Sequence, residues 1–263
     1  MSHATFHAYH TQRVSNLPFW QPCLICVQSG TKRLHQAGLD YRVLAGGLIL
    51  ISAGVRCRLE NIPDVISGEY RAVAFDLCAE DLRVVSLVAG RPSPLKGSPA
   101  AIATIRPEAD HALAFDALID LTTSGGHPAL IRHRMQEVLL HWLLKAPELM
   151  GLLQAASLSF SAQVQALLNS DPARDWSLDQ LAQSFHCSIP TVRRRLRDEE
   201  TQFRSLLDDV RMVRGFNLLQ TSHASLDQVA EQCGYLSRSR FSQRFQSYFG
   251  LTPSELKRTR LKR

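Results

Sequence analysis

The sequence predicts an α+β chain: a small barrel or sandwich of short strands with trailing helices, then an all-α domain with two helix-turn-helix units. Three observations carry this. Short β-prone runs fill the first hundred residues, helical periodicity fills the rest, and one helix–turn–helix pattern occurs twice near the C-terminus. The length of 263 residues makes room for two modest domains, and 45% hydrophobic with 21% charged residues is ordinary for globular chains. The longest apolar stretches, 46–55 and 139–144, fall short of the ~20 residues that cross a bilayer. No basic region followed by an apolar run opens the chain, so a cytoplasmic protein with no membrane partner is expected.

The β-prone runs are Leu24–Val27, Tyr41–Leu44, Leu48–Ser52, Val55–Leu59, Arg71–Leu77 and Val84–Val88. Turn pairs such as Ser29-Gly30, Gly46-Gly47 and Pro63-Asp64 separate them. Pro92–Pro107, dense in proline and glycine, reads as a connection. A helix is expected over Asp110–Leu121, stopped by Ser124-Gly125-Gly126, and another over Pro128–Lys145. The second carries an apolar stripe of Leu130, Ile131, Met135, Val138, Leu139, Trp142 and Leu143. That stripe serves equally as core or as the seam of a homodimer. Pro147 ends the helix, and 151–159 reads as a linker between domains at 1–150 and 160–263. Cys23 and Cys26 have CxxC spacing, but on a strand they face opposite sides and no second pair completes a zinc site. All six cysteines are expected to be reduced thiols, with no metal and no cofactor.

Charge is concentrated toward the C-terminus. Residues 1–169 hold 14 basic against 13 acidic side chains, and residues 170–263 hold 16 against 11. An anionic partner is therefore expected for the last third. The same third contains an internal repeat: Ser177-Leu178-Asp179-Gln180-Leu181-Ala182 recurs as Ser225-Leu226-Asp227-Gln228-Val229-Ala230, at an offset of 48. A second serine follows each copy, Ser188 and Ser237, at an offset of 49, so one residue is inserted in the second turn.

Each copy spells out its own helix ends. Ser177 and Ser225 are N-caps with Gln180 and Gln228 at the third position, completing capping boxes. Trp176 and Leu181 have the spacing of a hydrophobic staple. His186-Cys187 and Gly234-Tyr235-Leu236 turn the chain, and the second serine caps the next helix. Phe203–Leu219 has apolar residues at helical spacing and connects the units, while Ser161–Asn169 adds a leading helix.

On the second helix of each unit, Val192 and Leu196, or Phe241 and Phe245, point inward. Pro190, Thr191, Arg193, Arg194 and Arg197, or Ser239, Arg240, Ser242, Gln243 and Gln246, face outward, and neither helix carries an acid there. A solvated face would favour Glu and Lys. Arg, Gln and Ser are the side chains that reach base edges and phosphates in a major groove. The DNA-binding set is therefore Thr191, Arg193, Arg194, Arg195, Arg197, Arg238, Ser239, Arg240, Ser242, Gln243 and Arg244. Within it Arg193, Arg194, Arg197, Ser239, Ser242 and Gln243 are expected at bases or the adjacent backbone, and Arg195, Arg240 and Arg244 at phosphates. The tail Lys257–Arg263 is also expected at phosphates.

These segments resemble the DNA-binding domain of the AraC/XylS family of bacterial transcription regulators. The matching stretches are WSLDQLA at 176–182, SIPTVRRRLR at 188–197, RMVRGFNLLQ at 211–220 and LDQVAEQCGYLSRSRFSQRFQSYFGLTPSEL at 226–256. The resemblance implies seven helices, with recognition helices Ile189–Glu199 and Arg238–Tyr248, and promoter-bound activation through RNA polymerase. Three positions depart from the family pattern: Glu200 replaces a usual glycine, Gly215 a common alanine and Gln243 a frequent arginine. A weaker resemblance, in QPCLICVQSGTKRL at 21–34 and GGLILISAG at 46–54, implies a cupin-like barrel that binds a small-molecule effector, dimerises, or both.

Two rival readings are disfavoured. A metal-dependent cupin enzyme needs several histidines on neighbouring strands, and His35 is the only one between Gln12 and Ala109. His3, His7 and His10 read as solvated, and no nucleophilic or phosphate-loop motif marks an enzyme. RNA recognition would call for aromatic platforms rather than paired, tightly capped helices.

Overall fold

The computed structural model describes residues 3–89, 101–106, 109–154 and 159–262. Its strands are β1 (His3–Ala8), β2 (Gln12–Phe19), β3 (Cys23–Ser29), β4 (Thr31–Gln36), β5 (Leu39–Leu44), β6 (Leu48–Ile51), β7 (Val55–Ile62), β8 (Tyr70–Asp76) and β9 (Ile102–Ile105). They make two antiparallel sheets ordered β1-β8-β3-β6-β9 and β2-β7-β4-β5. The sheets face each other without sharing a strand, so the cupin-like part is an open sandwich rather than a closed barrel.

Side-chain alternation decides what each sheet face meets. In β3, Cys23, Ile25 and Val27 enter the core between the sheets, while Leu24 and Cys26 enter a second core on the opposite face. Ile49 and Ile51 of β6 likewise oppose Leu48 and Leu50. The larger sheet is thus apolar on both faces. The smaller one has a wet face: along β7, Val55, Cys57 and Leu59 are buried while Arg56 and Arg58 are exposed.

Helices α1 (Ala79–Ala89), α2 (Ala109–Thr123), α3 (Pro128–Lys145) and α4 (Met150–Gln154) belong to this half of the chain. Ile131, Met135, Val138, Leu139, Trp142 and Leu143 of α3 are buried against the second core, so these six of the stripe are core, while Leu130 is exposed. Val84–Val88, expected as a strand, lies within α1. There Leu82 and Val85 point inward at helical spacing, and Asp81 accepts the Cys78 N–H at 3.0 Å and pairs with Arg132. A β-branched run alone does not distinguish the two periods. β9 falls inside the expected connection 92–107, held by pairing with β6, and α4 takes the first residues of the expected linker. Residues 92–100, 107 and 155–158 of these stretches lie outside the described residues.

The expected solvated histidines include two that stand on β1, where His7 Nδ1 meets Glu69 Oε1 at 2.9 Å. That strand, β2 and β4 were unmarked by the β-prone runs.

Seven helices follow among the described residues: α5 (Phe160–Ser170), α6 (Leu178–Ser184), α7 (Ile189–Asp198), α8 (Phe203–Thr221), α9 (Leu226–Gln232), α10 (Arg238–Phe249) and α11 (Pro253–Arg258). Polar contacts fasten them to the sheets. The N–H groups of Tyr9 and His10 donate to Thr259 O at 2.7 and 3.2 Å. Arg56 donates to Tyr248 OH at 2.9 Å and pairs with Asp209 of α8. A buried chain also crosses: Lys32 Nζ donates to Asn61 Oδ1 (2.8 Å), Asn61 Nδ2 to Gln12 Oε1 (2.9 Å), and Gln12 Nε2 to Thr259 Oγ1 (2.7 Å). Each amide's two ends are fixed by its neighbours, so the chain has one polarity.

Candidate nucleic-acid interface

The two helix-turn-helix units close on matching local bonds. Ser177 Oγ accepts the Gln180 N–H at 3.2 Å and Gln180 Oε1 accepts the Ser177 N–H at 3.1 Å. Ser225 and Gln228 repeat the box at 3.2 and 2.8 Å. In the first turn His186 N–H donates to Gln183 O and Cys187 N–H to Ala182 O; in the second, Gly234 donates to Glu231 O and Tyr235 to Ala230 O. The left-handed residue is His186 (φ 48°) in one unit and Gly234 (φ 75°) in the other. A Cβ at 234 would lie 2.8 Å from the Arg211 guanidinium and 3.0 Å from Ala173 O, so glycine is required there. Ser188 and Ser237 then cap α7 and α10, accepting the Thr191 and Arg240 N–H groups at 3.3 Å.

One helix carries both units. α8 has 19 residues, ~28 Å at 1.5 Å per residue. Its Leu206 and Val210 pack with Leu181, Val192 and Leu196 of the first unit and with Phe160, Val164 and Leu168 of α5. Its Met212, Phe216 and Leu219 pack with Phe241, Phe245 and Phe249 of the second. Ring centroids there are 4.7 Å apart for Phe245–Phe249 and 5.6 Å for Phe241–Phe245. Gly215 explains its own departure from the family pattern, because a Cβ would stand 2.8 and 2.9 Å from ring carbons of Phe241. The helix-propensity cost of glycine accompanies a close α8–α10 approach.

With these cores filled, the opposite faces are outward. Arg193, Arg194 and Arg197 are exposed on α7, with Thr191 half-buried at its start. On α10, Arg238, Ser239, Arg240 and Gln243 are exposed and Ser242 is half-buried. Two arginines of the set are engaged within the protein. Arg195 lies 3.8 Å over the Phe160 ring. Arg244 pairs with Asp208 of α8, whose hydrogen bond holds the guanidinium pKa above its ordinary value despite burial.

Part of the tail expected at phosphates is engaged within the protein. Arg260 Nη1 donates to Leu219 O (2.6 Å) and Ser222 O (3.2 Å), satisfying carbonyls at the C-terminal end of α8. Lys257 donates to Ala224 O, and Lys262 sits 5.9 Å from the Tyr9 ring centroid. Arg258 is exposed, and Arg263 lies outside the described residues.

Sequence reasoning missed the acids that organise this face. Asp208 holds Arg244 and accepts from Tyr235 OH (3.2 Å), and buried Asp209 accepts from Tyr248 OH and Arg56. Burial and then the Asp209 carboxylate raise the Tyr248 pKa. The available signal was an acid on the apolar face of α8, three residues after Leu206 and three before Met212. Glu199 is a cap: its carboxylate accepts the Phe160 and Ser161 N–H groups at 2.7 and 2.8 Å. Burial opposes that charge, but the Ser161 and Phe160 hydrogen bonds outweigh it and lower the pKa.

Two capped helix-turn-helix units, set rigidly on one helix with arginine-rich, polar faces outward, define a DNA-binding domain. The family model described as "Helix-turn-helix domain" matches residues 181–259. The HTH-type transcriptional regulator YdeO of Escherichia coli is 34% identical over 105 residues, 40% of this chain and 41% of that protein. GadX of the same organism is 34% identical over 109 residues, 41% of this chain and 39% of its own, and the activator VirF of Shigella flexneri 33% over 101, 38% of each. The chain therefore spans about two-fifths of the length of the curated relatives it matches. Residues 181–259 carry a helix-turn-helix domain, similar to that of these regulators. ToxT of Vibrio cholerae has the same fold over 98% of both chains, at a TM-score of 0.68 and 15% identity.

Proposed function

We propose that this chain is a sequence-specific, promoter-binding transcription regulator of the AraC/XylS type. Residues 160–263 grip DNA, 1–150 control that grip, and 151–159 connect them. The observation that carries the reading is the pair of outward, arginine-rich recognition faces held at the two ends of α8, with Asp198 at the end of α7 the one acid within the two helices. In this reading Arg193, Arg194, Arg197, Ser239, Ser242 and Gln243 meet bases, while Thr191, Arg195, Arg238, Arg240 and Arg244 meet the backbone. Arg195 and Arg244 do so from positions already braced by Phe160 and Asp208. The units are direct repeats, so one protomer reads two unlike half-sites in one orientation, ~10 bp apart on one face of the duplex. Activation runs through RNA polymerase.

Control has a physical route in this reading. ToxT structures are described as bound to an unsaturated fatty acid and to (E)-4-(8-methylnaphthalen-1-yl)but-3-enoic acid. Here a cleft of about 690 Å³ opens between the sheets and the helical domain, lined among others by Trp20, Arg56, Asp208, Arg244 and Tyr248. That volume would admit a small molecule, and the mostly polar and charged lining favours a polar one. The chain from Lys32 to Thr259 ties the sandwich interior to the last helix.

Selection of duplexes from a random library by the full chain tests the reading. It should enrich a two-part site, and inserting ~5 bp between the parts should reduce affinity to that of one unit. Enrichment of no sequence refutes DNA reading; an unchanged affinity after insertion refutes the rigid two-groove arrangement.

A further inference from the structure

We infer that Leu236 is a specificity residue that reads the C5-methyl group of a thymine in the second half-site. This rests on the DNA-reading function proposed above and adds a residue type that the polar recognition face lacks.

The matched turn bonds identify the inserted residue. The hydrogen bonds of the two turns correspond at an offset of 48 as far as Cys187 and Tyr235, and the next caps, Ser188 and Ser237, at 49. The extra residue is Leu236. Its neighbour Tyr235 turns inward, with its ring 5.6 Å from that of Phe241 and its hydroxyl on Asp208. Leu236 does not follow it: the side chain is 98% exposed. A single exposed aliphatic residue is commonplace on a protein surface. This one begins an unbroken exposed run, Leu236 to Arg240, across the cap and first residues of the second recognition helix. That end of a recognition helix is the one that approaches base edges. A phosphate offers an isobutyl group nothing, and the apolar mark in the major groove is the thymine methyl. The first unit has no counterpart, because its turn is one residue shorter and Cys187 is half-buried.

The test uses a duplex enriched by the full chain, with each thymine of the second half-site replaced singly by deoxyuridine, which removes the methyl alone. At one position the replacement should weaken wild-type binding about fourfold, the worth of one buried methyl group. Leu236→Ala should bind the thymine duplex about fourfold less tightly, be indifferent to that replacement, and keep the wild-type salt slope because no charge is lost. Equal responses of wild type and Leu236→Ala at every thymine overturn the inference while leaving DNA reading intact. A variant that binds as wild type but activates less places Leu236 against a protein and overturns it too. If the full chain enriches no duplex, the DNA reading itself fails and the inference falls with it.

Discussion

Replacing Lys32 by Met removes a charge from the sandwich core without much change in length. The residue is 5% exposed, and its amine's partners are the neutral Asn61 and, at 3.4 Å, Tyr70. Burial pushes its pKa from 10.5 down to about 8. Lys32 therefore binds a proton less readily in the folded chain than in the unfolded one. Its penalty on stability is full below pH 8 and fades as pH rises toward 10.5. A depression of that size corresponds to about 3 kcal/mol at pH 7, falling to ~2 kcal/mol at pH 9. Lys32→Met escapes that penalty but leaves Asn61 Oδ1 without its donor, at ~1–3 kcal/mol. The variant should thus match or slightly exceed wild type at pH 7. The sharper quantity is the change with pH: wild type should gain about 1.3 kcal/mol on the variant between pH 7 and 9. Urea unfolding of both proteins at the two pH values measures it, with other titrating groups cancelling in the difference. A difference that does not move with pH would mean that Lys32 carries no desolvated charge.

Glu200 (φ 54°) and His186 (φ 48°) hold left-handed positions that suit glycine. Each change to Gly should raise stability by ~0.5–1 kcal/mol in thermal unfolding, strain relief exceeding the added chain entropy. Gly215→Ala should lower stability by ~1–3 kcal/mol despite its better helix propensity, because the new methyl meets Phe241; an increase in Tm would contradict the close approach. Arg260→Ala should lower stability and leave the salt slope of DNA binding unchanged. Arg194→Ala should do the reverse, costing ~1–3 kcal/mol of specific binding at one base position in a binding titration.

The helical domain was legible because its instructions are local. Ser177 with Gln180 and Ser225 with Gln228 lie three residues apart, and the repeat of 48 residues marks both units without knowledge of the fold. Pro128 and Lys145 likewise bracket α3 to the residue. What stayed hidden is set by partners far away in the chain. β9 is a strand because β6 lies beside it, and β1 because β8 does. Val84–Val88 carried a strand's composition but took the helical period that buries Leu82 and Val85. Of the DNA-facing set, the outward positions followed from the helical wheel, but Asp208 claims Arg244 from 36 residues away and α8 claims the tail's Arg260. A basic side chain reads alike in the sequence whether it meets solvent or a carbonyl.

The hydrogen bonds from Tyr9, His10, Gln12 and Arg56 end on α8, α10 or Thr259, all on the side of the second unit. Under the proposed function this makes the two half-sites unequal in a regulatory sense. A promoter whose second half-site fits poorly depends on how the sandwich seats that unit, and so responds to the signal. One whose second half-site fits well holds the protein regardless. Responsiveness would then be a property written into each promoter, adjustable base by base, with no change to the regulator.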